Sequence, residues 1–406
     1  MSKFLIKGAR RLSGNIEVSG SKNAALPILF STVITRGVSI LSNVPDITDV
    51  NIALQIISEL GAVVLRFGDE VHIDTRNMSY SAPRAELTSR IRASSYLLGA
   101  NLARFGRTEI SRFGGCNFDD RPIDMHLSAM RALGAQISVP ECTASELIGA
   151  DIRFDKISVG ATVNAILLSA TAKGVTRIFG YAREPHIYSL IDFLTSAGAS
   201  ITPLPEYILV EGRELHGGRA RIIPDMIEAG TYLIASLALD SPFCVKGVNR
   251  EHLSSLVDVL VSAGAGFEFS EDSVTAFGRV EERINLSTAP YPGYPTDLQP
   301  QIAPLLAASF GGSITEGVWH SRFGYLRELQ SFGLEYSLSD AQAVIYPSHL
   351  KAATATAPDL RGGAALMIAA LIADGESVID CAQIIARGYE GIVKKLRNLG
   401  ADIEEY

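Results

Sequence analysis

A chain that returns to the same pattern about every 67 residues is built from copies of one supersecondary unit, and this sequence does so six times. A helical segment ending in Gly and followed by an alternating strand recurs at Gly61 (SELGAVVLRF), Gly134 (RALGAQISV), Gly198 (TSAGASITPL), Gly264 (VSAGAGFEF), Gly333 (QSFGLEYSL) and Gly400 (RNLGADIEEY). The separations are 73, 64, 66, 69 and 67 residues. A second marker, an apolar helix closed by Gly before a β-rich run, recurs at Gly37, Gly106, Gly174, Gly312 and Gly375, with Ser241 in the fourth place, at separations of 69, 68, 67, 71 and 63. Each of these glycines is expected to end its helix in the left-handed conformation that a Cβ disfavours.

Each unit reads helix, strand, helix, strand, strand, with hairpin-like segments such as residues 206–223 between helices. Residues 4–18 have the same character and are expected to be the displaced hairpin of the sixth unit, whose helices end the chain. The resulting fold class is α/β (α+β), with two domains of three βαβαββ units each. One domain spans residues 22–224 and carries the Cys116 loop; the other combines residues 1–21 with 225–406. A double crossing joins them, and the cleft between them is the expected site. Helices such as AALMIAALIA are apolar on nearly every face and so belong inside each domain, behind outer sheets. A solenoid is the alternative, but solenoid repeats are usually shorter and lack such paired strands.

Composition narrows the partners. The 406 residues include 36 Lys and Arg against 44 Asp and Glu, a net charge of −8, so nucleic acid is not the expected partner and an anionic ligand needs a local cluster of cations. No apolar stretch approaches the roughly 18 residues of a membrane span, and MSKFLIKGARR lacks the apolar core of a signal peptide, so a cytoplasmic protein is expected. The four cysteines form neither a disulfide framework nor a Cys-x-x-Cys pair.

The familiar phosphate loops are absent, the seven histidines have no metal-ligand spacing, and Ser, His and Asp form no nucleophile elbow. What remains is a set of cations at repeat-related places: Lys22, Arg92, Arg121, Lys156, Arg322, Arg361 and Arg387. Several are placed to open a helix, where a cation reinforces the anion preference of the unpaired N–H groups; the competing reading of each is a solvated surface charge. Cys116 follows Gly114 and Gly115 in what reads as a mobile loop, where Arg112 and Arg121 favour the thiolate and Asp119 and Asp120 oppose it. Cys142, Cys244 and Cys381 lie in strand-like or hairpin segments and read as structural. Asp297, in YPGYPTDLQPQ, is either a functional carboxylate or, with Thr296, a cap for the following helix.

Taken in order, GSKNAALPILF, IRASSYLLGA, FGGC with RPIDMHL, DKISVGATVNA, AREPHI, PTDLQPQ, DLRGGAAL and RGYEGI resemble the UDP-N-acetylglucosamine enolpyruvyl transferases essentially from end to end. The related shikimate-pathway enzymes share the fold but not the GGC, RPIDMHL or KISVGAT segments; RNA 3′-phosphate cyclases use a similar repeat with a His nucleophile that has no counterpart here. The resemblance implies transfer of enolpyruvate from phosphoenolpyruvate to the sugar 3-hydroxyl by addition and elimination of phosphate, the first committed step of peptidoglycan synthesis. It implies small-molecule substrates, no metal and no organic cofactor. Lys22, Arg121 and Arg387 resemble the phosphate-binding cations, Arg322 and Arg361 those holding the carboxylate, and Arg92 completes the cluster. Asp297 resembles the group accepting the hydroxyl proton, and Asn23 resembles a sugar ligand. Cys116 resembles the loop thiol that donates a proton and is alkylated by fosfomycin. Arg121, Pro122, Ile123, Asp124 and Met125, with Lys156, Ile157, Ser158 and Val159, resemble the uridine-diphosphate segments, and Val318 resembles a further nucleotide-sugar contact.

Four positions depart from the family pattern. Asp119 and Asp120 replace small residues, Met226 replaces an Arg, and Ala386 replaces an Asp before Arg-Gly-Tyr. They leave open a paralogue that uses another nucleotide acceptor, such as UMP, and a catalytically silent ligand-binding homologue; retention of Lys22, Cys116, Asp297, Arg322, Arg361 and Arg387 speaks against the silent one.

Overall fold

The computed structural model describes residues 2–8, 10–110, 113–114 and 122–406. They divide into two compact units, one made of residues 2–19 and 224–406, the other of residues 20–114 and 122–223. Each has its own apolar core. Tyr232, Leu306, Leu366 and Met367 lie at the centre of the first, and Phe30, Leu98, Leu167 and Phe193 at the centre of the second.

The repeat is clearest in residues 151–211. Strand Asp151–Arg153, helix Val159–Ser169, strand Val175–Phe179, helix Pro185–Ser196 and strands Ser200–Pro203 and Tyr207–Glu211 follow one another. In the sheet they stand in the order first, second, fourth, third. The first two strands are parallel, as a helical crossover requires, and the last two are antiparallel. Four other sheets repeat this order, and a sixth contains only the last three strands among the described residues.

The first helix of each unit is enclosed on nearly all sides, as its composition predicts: residues 24–31 of Lys22–Ser31 and every residue from Leu360 to Leu371 of Leu360–Ile372 are buried. The second helix is amphipathic. In Thr48–Glu59, Val50, Ala53, Leu54, Ile56 and Ile57 face inward while Asn51, Gln55 and Ser58 meet solvent.

The six glycines of the first series close their helices with φ between 87° and 101°. The second series is less regular. Gly106, Gly174 and Gly375 are left-handed, but at the fifth site the turn residue is Gly311, and Gly312 begins strand Gly312–Thr315; at the fourth it is Asp240 (φ 46°), before Ser241. Gly37 is not left-handed. A Cβ there would lie 2.7 Å from the Gly217 nitrogen, so its bareness serves close backbone approach.

Residues 4–18 and 206–223 are not hairpins, contrary to the sequence reading. Strand Phe4–Lys7 lies antiparallel between Glu376–Asp380 and Asp402–Glu405, where it supplies the fourth strand of the sixth unit. Strand Asn15–Glu17 then leaves that sheet and runs parallel to Cys244–Lys246, opening the fourth unit. Reciprocally, Arg219–Arg221 runs parallel to Val38–Ser42 and opens the first. Alternation identifies a strand without naming its neighbour, and the glycine-rich stretch from Gly212 to Gly218 is a crossing rather than a turn. A Cβ on Gly212 would fall 1.6 Å from the Ala172 carbonyl oxygen, and one on Gly217 would fall 2.1 Å from that of Val38. No helix among the described residues is long and apolar enough to cross a membrane.

Candidate active site

Two candidate residues of the first unit, Arg322 and Arg361, converge on a third, Asp297. Its carboxylate is not a helix cap: neither the 3-10 turn Thr296–Leu298 nor the helix Gln299–Ala307 has a side-chain cap. It accepts instead from two arginines. Arg322 Nη1 donates to Oδ1 at 2.9 Å, while Arg361 donates to Oδ2 from Nη2 at 3.1 Å and Nε at 3.3 Å. Arg322 and Arg361 are only 3% and 2% exposed, which excludes the solvated-charge reading for both. Burial by itself lowers the Arg361 pKa; the Asp297 carboxylate, followed by Tyr389 and Asp225, more than reverses this, so the guanidinium is held charged above its ordinary value.

The local chain explains these placements. Asp359 caps helix Leu360–Ile372 by accepting from the backbone N–H groups of Arg361 and Gly362 at 2.9 and 3.1 Å, which anchors Arg361 in the first turn. That carboxylate already occupies the helix N-terminus, so the anion preference there rests on the arginine side chain rather than on free N–H groups. Gln301, one turn into its buried helix, donates to the Asp297 carbonyl at 2.8 Å and to the Tyr389 hydroxyl at 3.1 Å. The Tyr389 hydroxyl in turn lies 2.9 Å from Thr231 Oγ1, and Arg361 stacks over the Tyr389 ring at 5.4 Å.

A buried carboxylate that sequence reasoning missed, Glu316, sits behind Arg322. It is 1% exposed. Its Oε1 accepts from Thr288 Oγ1 (2.6 Å) and the backbone N–H groups of Val318 (2.9 Å) and Trp319 (3.0 Å). Its Oε2 accepts from Thr296 Oγ1 (3.0 Å), and Thr296 Oγ1 accepts from Arg322 Nη1 at 3.0 Å. Val318 is half-buried in this turn. Arg387 closes the 3-10 segment Ala382–Arg387 and is half-buried, with Ala386 beside it; Met226 is the first residue of helix Met226–Ala238, packed against the core.

The second unit brings together another group. Lys22 opens its helix behind the Ser21 cap, and its ammonium pairs with the buried Asp49 carboxylate at 3.0 Å. It too is not a solvated charge. Asn23 follows it, half-buried. Arg92 opens the 3-10 segment Arg92–Tyr96, where burial lowers its pKa. Burial first, and then the Arg92 charge, push the His126 imidazole down to about 4, Asp124 opposing. Its Nδ1 faces Asn164 Nδ2 at 2.8 Å.

Asn164 joins the surrounding segments. Its amide nitrogen also donates to the carbonyls of Ser95 (3.1 Å) and Gly160 (3.3 Å), while its oxygen accepts from the Gly99 N–H at 2.6 Å. Helix Asp124–Ala132 therefore packs with its first turn against that of Val159–Ser169, where a Cβ on Gly160 would meet His126 Cε1 at 2.9 Å. Asp124 and Met125 lie in the first turn of the former helix, preceded by Pro122 and Ile123, and Val159 opens the latter. Ser158 caps its helix through Ala161 N at 3.3 Å. Lys156 and Ile157 are exposed.

Cys116 and Arg121, with Arg112, Asp119 and Asp120, lie outside the described residues. Cys142 is in a strand, buried, with its pKa raised mainly by burial; Cys244 begins a strand and Cys381 occupies a left-handed turn. Among the described residues no group of three or more His, Cys, Asp or Glu converges to hold a metal ion. Asn164 and Gln301 carried a usable signal, since a polar residue inside an otherwise apolar helix must find buried partners. Glu316 carried none.

Residues 6–396 match the family profile of EPSP synthase (3-phosphoshikimate 1-carboxyvinyltransferase). The chain is 42% identical over 414 residues to a UDP-N-acetylglucosamine 1-carboxyvinyltransferase of Halothermothrix orenii, with 100% of both chains covered. It is 39% identical over 415 residues to one of Escherichia coli, covering 100% of this chain and 99% of the other. Among solved structures, the enolpyruvyl transferase NikO from Streptomyces tendae superposes with a TM-score of 0.90 at 27% identity, over 100% of this chain and 98% of that one. An EPSP synthase from Acinetobacter baumannii reaches 0.76 at 16% identity over 100% of both, a likeness of fold alone.

Proposed function

The chain belongs to the EPSP synthase family of 1-carboxyvinyltransferases, and on that premise we propose that it transfers the enolpyruvyl group of phosphoenolpyruvate to the 3-hydroxyl of UDP-N-acetylglucosamine with release of phosphate. The observation that carries this reading is the Asp297 carboxylate held by two buried guanidiniums. Arg322 and Arg361 present charged N–H groups suited to a substrate carboxylate. When that carboxylate takes them over, Asp297 is freed to accept the proton of the attacking hydroxyl. Names and coverage of the curated relatives support the same acceptor.

The reaction then follows from charge. The sugar hydroxyl oxygen bonds to C2 of phosphoenolpyruvate as its proton passes to Asp297, and C3 takes a proton, for which the resemblance nominates the Cys116 thiol. The tetrahedral ketal expels phosphate from C2 while C3 gives a proton back, leaving the enol ether. Lys22, Arg121 and Arg387 would stabilise the departing phosphate. Asn23 and Arg92, together with Pro122, Ile123, Asp124, Met125, Lys156, Ile157, Ser158, Val159 and Val318, would hold the nucleotide sugar. The product places the activity in peptidoglycan synthesis.

The test is phosphate release from phosphoenolpyruvate with UDP-N-acetylglucosamine, UMP or shikimate 3-phosphate, the product being identified by mass. Turnover with the first supports the assignment. Turnover with UMP alone would keep the chemistry and change the acceptor, and release with none would refute it. Cys116→Asp should resist fosfomycin while still binding nucleotide; rapid inactivation of that variant would place alkylation elsewhere.

A further inference from the structure

We propose that Glu316 is a positioning residue for this transfer, orienting Arg322 through the Thr296 hydroxyl while fixing the turn that carries Val318. The proposal rests on the function inferred above. A carboxylate that is 1% exposed is costly unless every oxygen is used, and here four donors meet it. Thr288 and the N–H groups of Val318 and Trp319 converge on Oε1. These bonds close a loop, and Gly317 N–H reinforces it by donating to Thr288 Oγ1 at 2.9 Å.

The fourth bond does something different. A hydroxyl has one hydrogen and two lone pairs. Because Thr296 gives its hydrogen to Glu316 Oε2, its lone pairs are left for Arg322 Nη1, the same nitrogen that donates to Asp297 Oδ1. Glu316 thus dictates the polarity of the Thr296 hydroxyl and, through it, the plane of the guanidinium. One side chain sets both the arginine proposed to hold the substrate carboxylate and the backbone of Val318.

Glu316→Gln separates these roles, being nearly isosteric. Its amide oxygen can still serve Thr288, Val318 and Trp319, but its NH2 group meets Thr296 as a donor. The hydroxyl hydrogen then loses its carboxylate acceptor, and the oxygen must take both the amide and the Arg322 N–H groups on its two lone pairs, which weakens its bond to Arg322. A hydrogen bond to a charged group of this kind corresponds to about a tenfold effect or more, so KM for phosphoenolpyruvate should rise about tenfold in E316Q. The melting temperature and KM for the nucleotide sugar should stay close to wild type. Thr296→Val should raise KM for phosphoenolpyruvate similarly, and the double variant should be no worse than either single one.

A lower melting temperature with unchanged KM for phosphoenolpyruvate, or additive effects in the double variant, would overturn the assignment and leave Glu316 a loop brace. A wild-type protein that releases no phosphate with any acceptor would refute the function instead. Glu316 is then read from the rise in melting temperature caused by phosphoenolpyruvate, which E316Q must reduce; an equal rise overturns the proposal.

Discussion

Lowering the pH from 6.5 to 4 should destabilise the 20–223 unit through one imidazole. His126 is 4% exposed, and its Nδ1 faces the Asn164 amide nitrogen at 2.8 Å. That amide cannot turn over without loss, because its nitrogen serves the Ser95 and Gly160 carbonyls and its oxygen serves the Gly99 N–H. Nδ1 must therefore accept, and the neutral ring carries its proton on Nε2. Protonating Nδ1 sets N–H against N–H in a buried place already near Arg92, which agrees with a pKa held down to about 4 against 6.5. In that window the unfolded chain binds the proton and the folded one does not, so stability is full above 6.5 and falls as the pH drops towards 4. The shift corresponds to about 3 kcal/mol. Carboxylates titrate in the same range, so the comparison is wild type against His126→Gln, with unfolding of this unit followed by hydrogen exchange in Val159–Ser169; the only tryptophan, Trp319, belongs to the other unit. The variant should lack about 3 kcal/mol of the wild-type acid dependence, and the His126 ring resonances should titrate near 4. Parallel pH dependences, or a ring that titrates at 6.5, would refute the argument.

Other perturbations should read out the remaining buried polar groups. Asp297→Asn removes the carboxylate shared by two buried guanidiniums and should cost about 3 kcal/mol as well as turnover; an unchanged melting temperature would contradict the pairing. Lys395→Met strands the buried Glu228 carboxylate, to which the ammonium donates at 2.6 Å alongside the Tyr232 hydroxyl at 2.7 Å, and should lower stability by about 3 kcal/mol. Adding Glu228→Gln should restore most of that loss in a thermal melt, and no recovery would mean that packing rather than charge is responsible. Gly99→Ala places a Cβ 2.6 Å from Asn164 Oδ1, so overpacking should cost about 1–3 kcal/mol and weaken Asn164's hold on His126. Melting and a His126 titration of this variant check both parts.

The sequence alone carried the repeat, the left-handed ends of most of its helices and the burial of its apolar helices, because all three are local consequences of spacing and side-chain type. It also marked Lys22, Asp297, Arg322 and Arg361 as the residues to watch, but left a cap and a catalytic carboxylate equally open at Asp297. The tertiary structure removed the capping alternative by bringing Arg322 and Arg361, 25 and 64 residues away, onto one carboxylate. Strand exchange was likewise invisible beforehand: Asn15–Glu17 and Arg219–Arg221 alternate like any strand, and only packing decides which parallel neighbour completes each sheet. Glu316 and Asp49 look in the sequence like ordinary surface acids. Their burial comes from residues distant in the chain, and a buried charge acquires its role from partners that only the fold assembles.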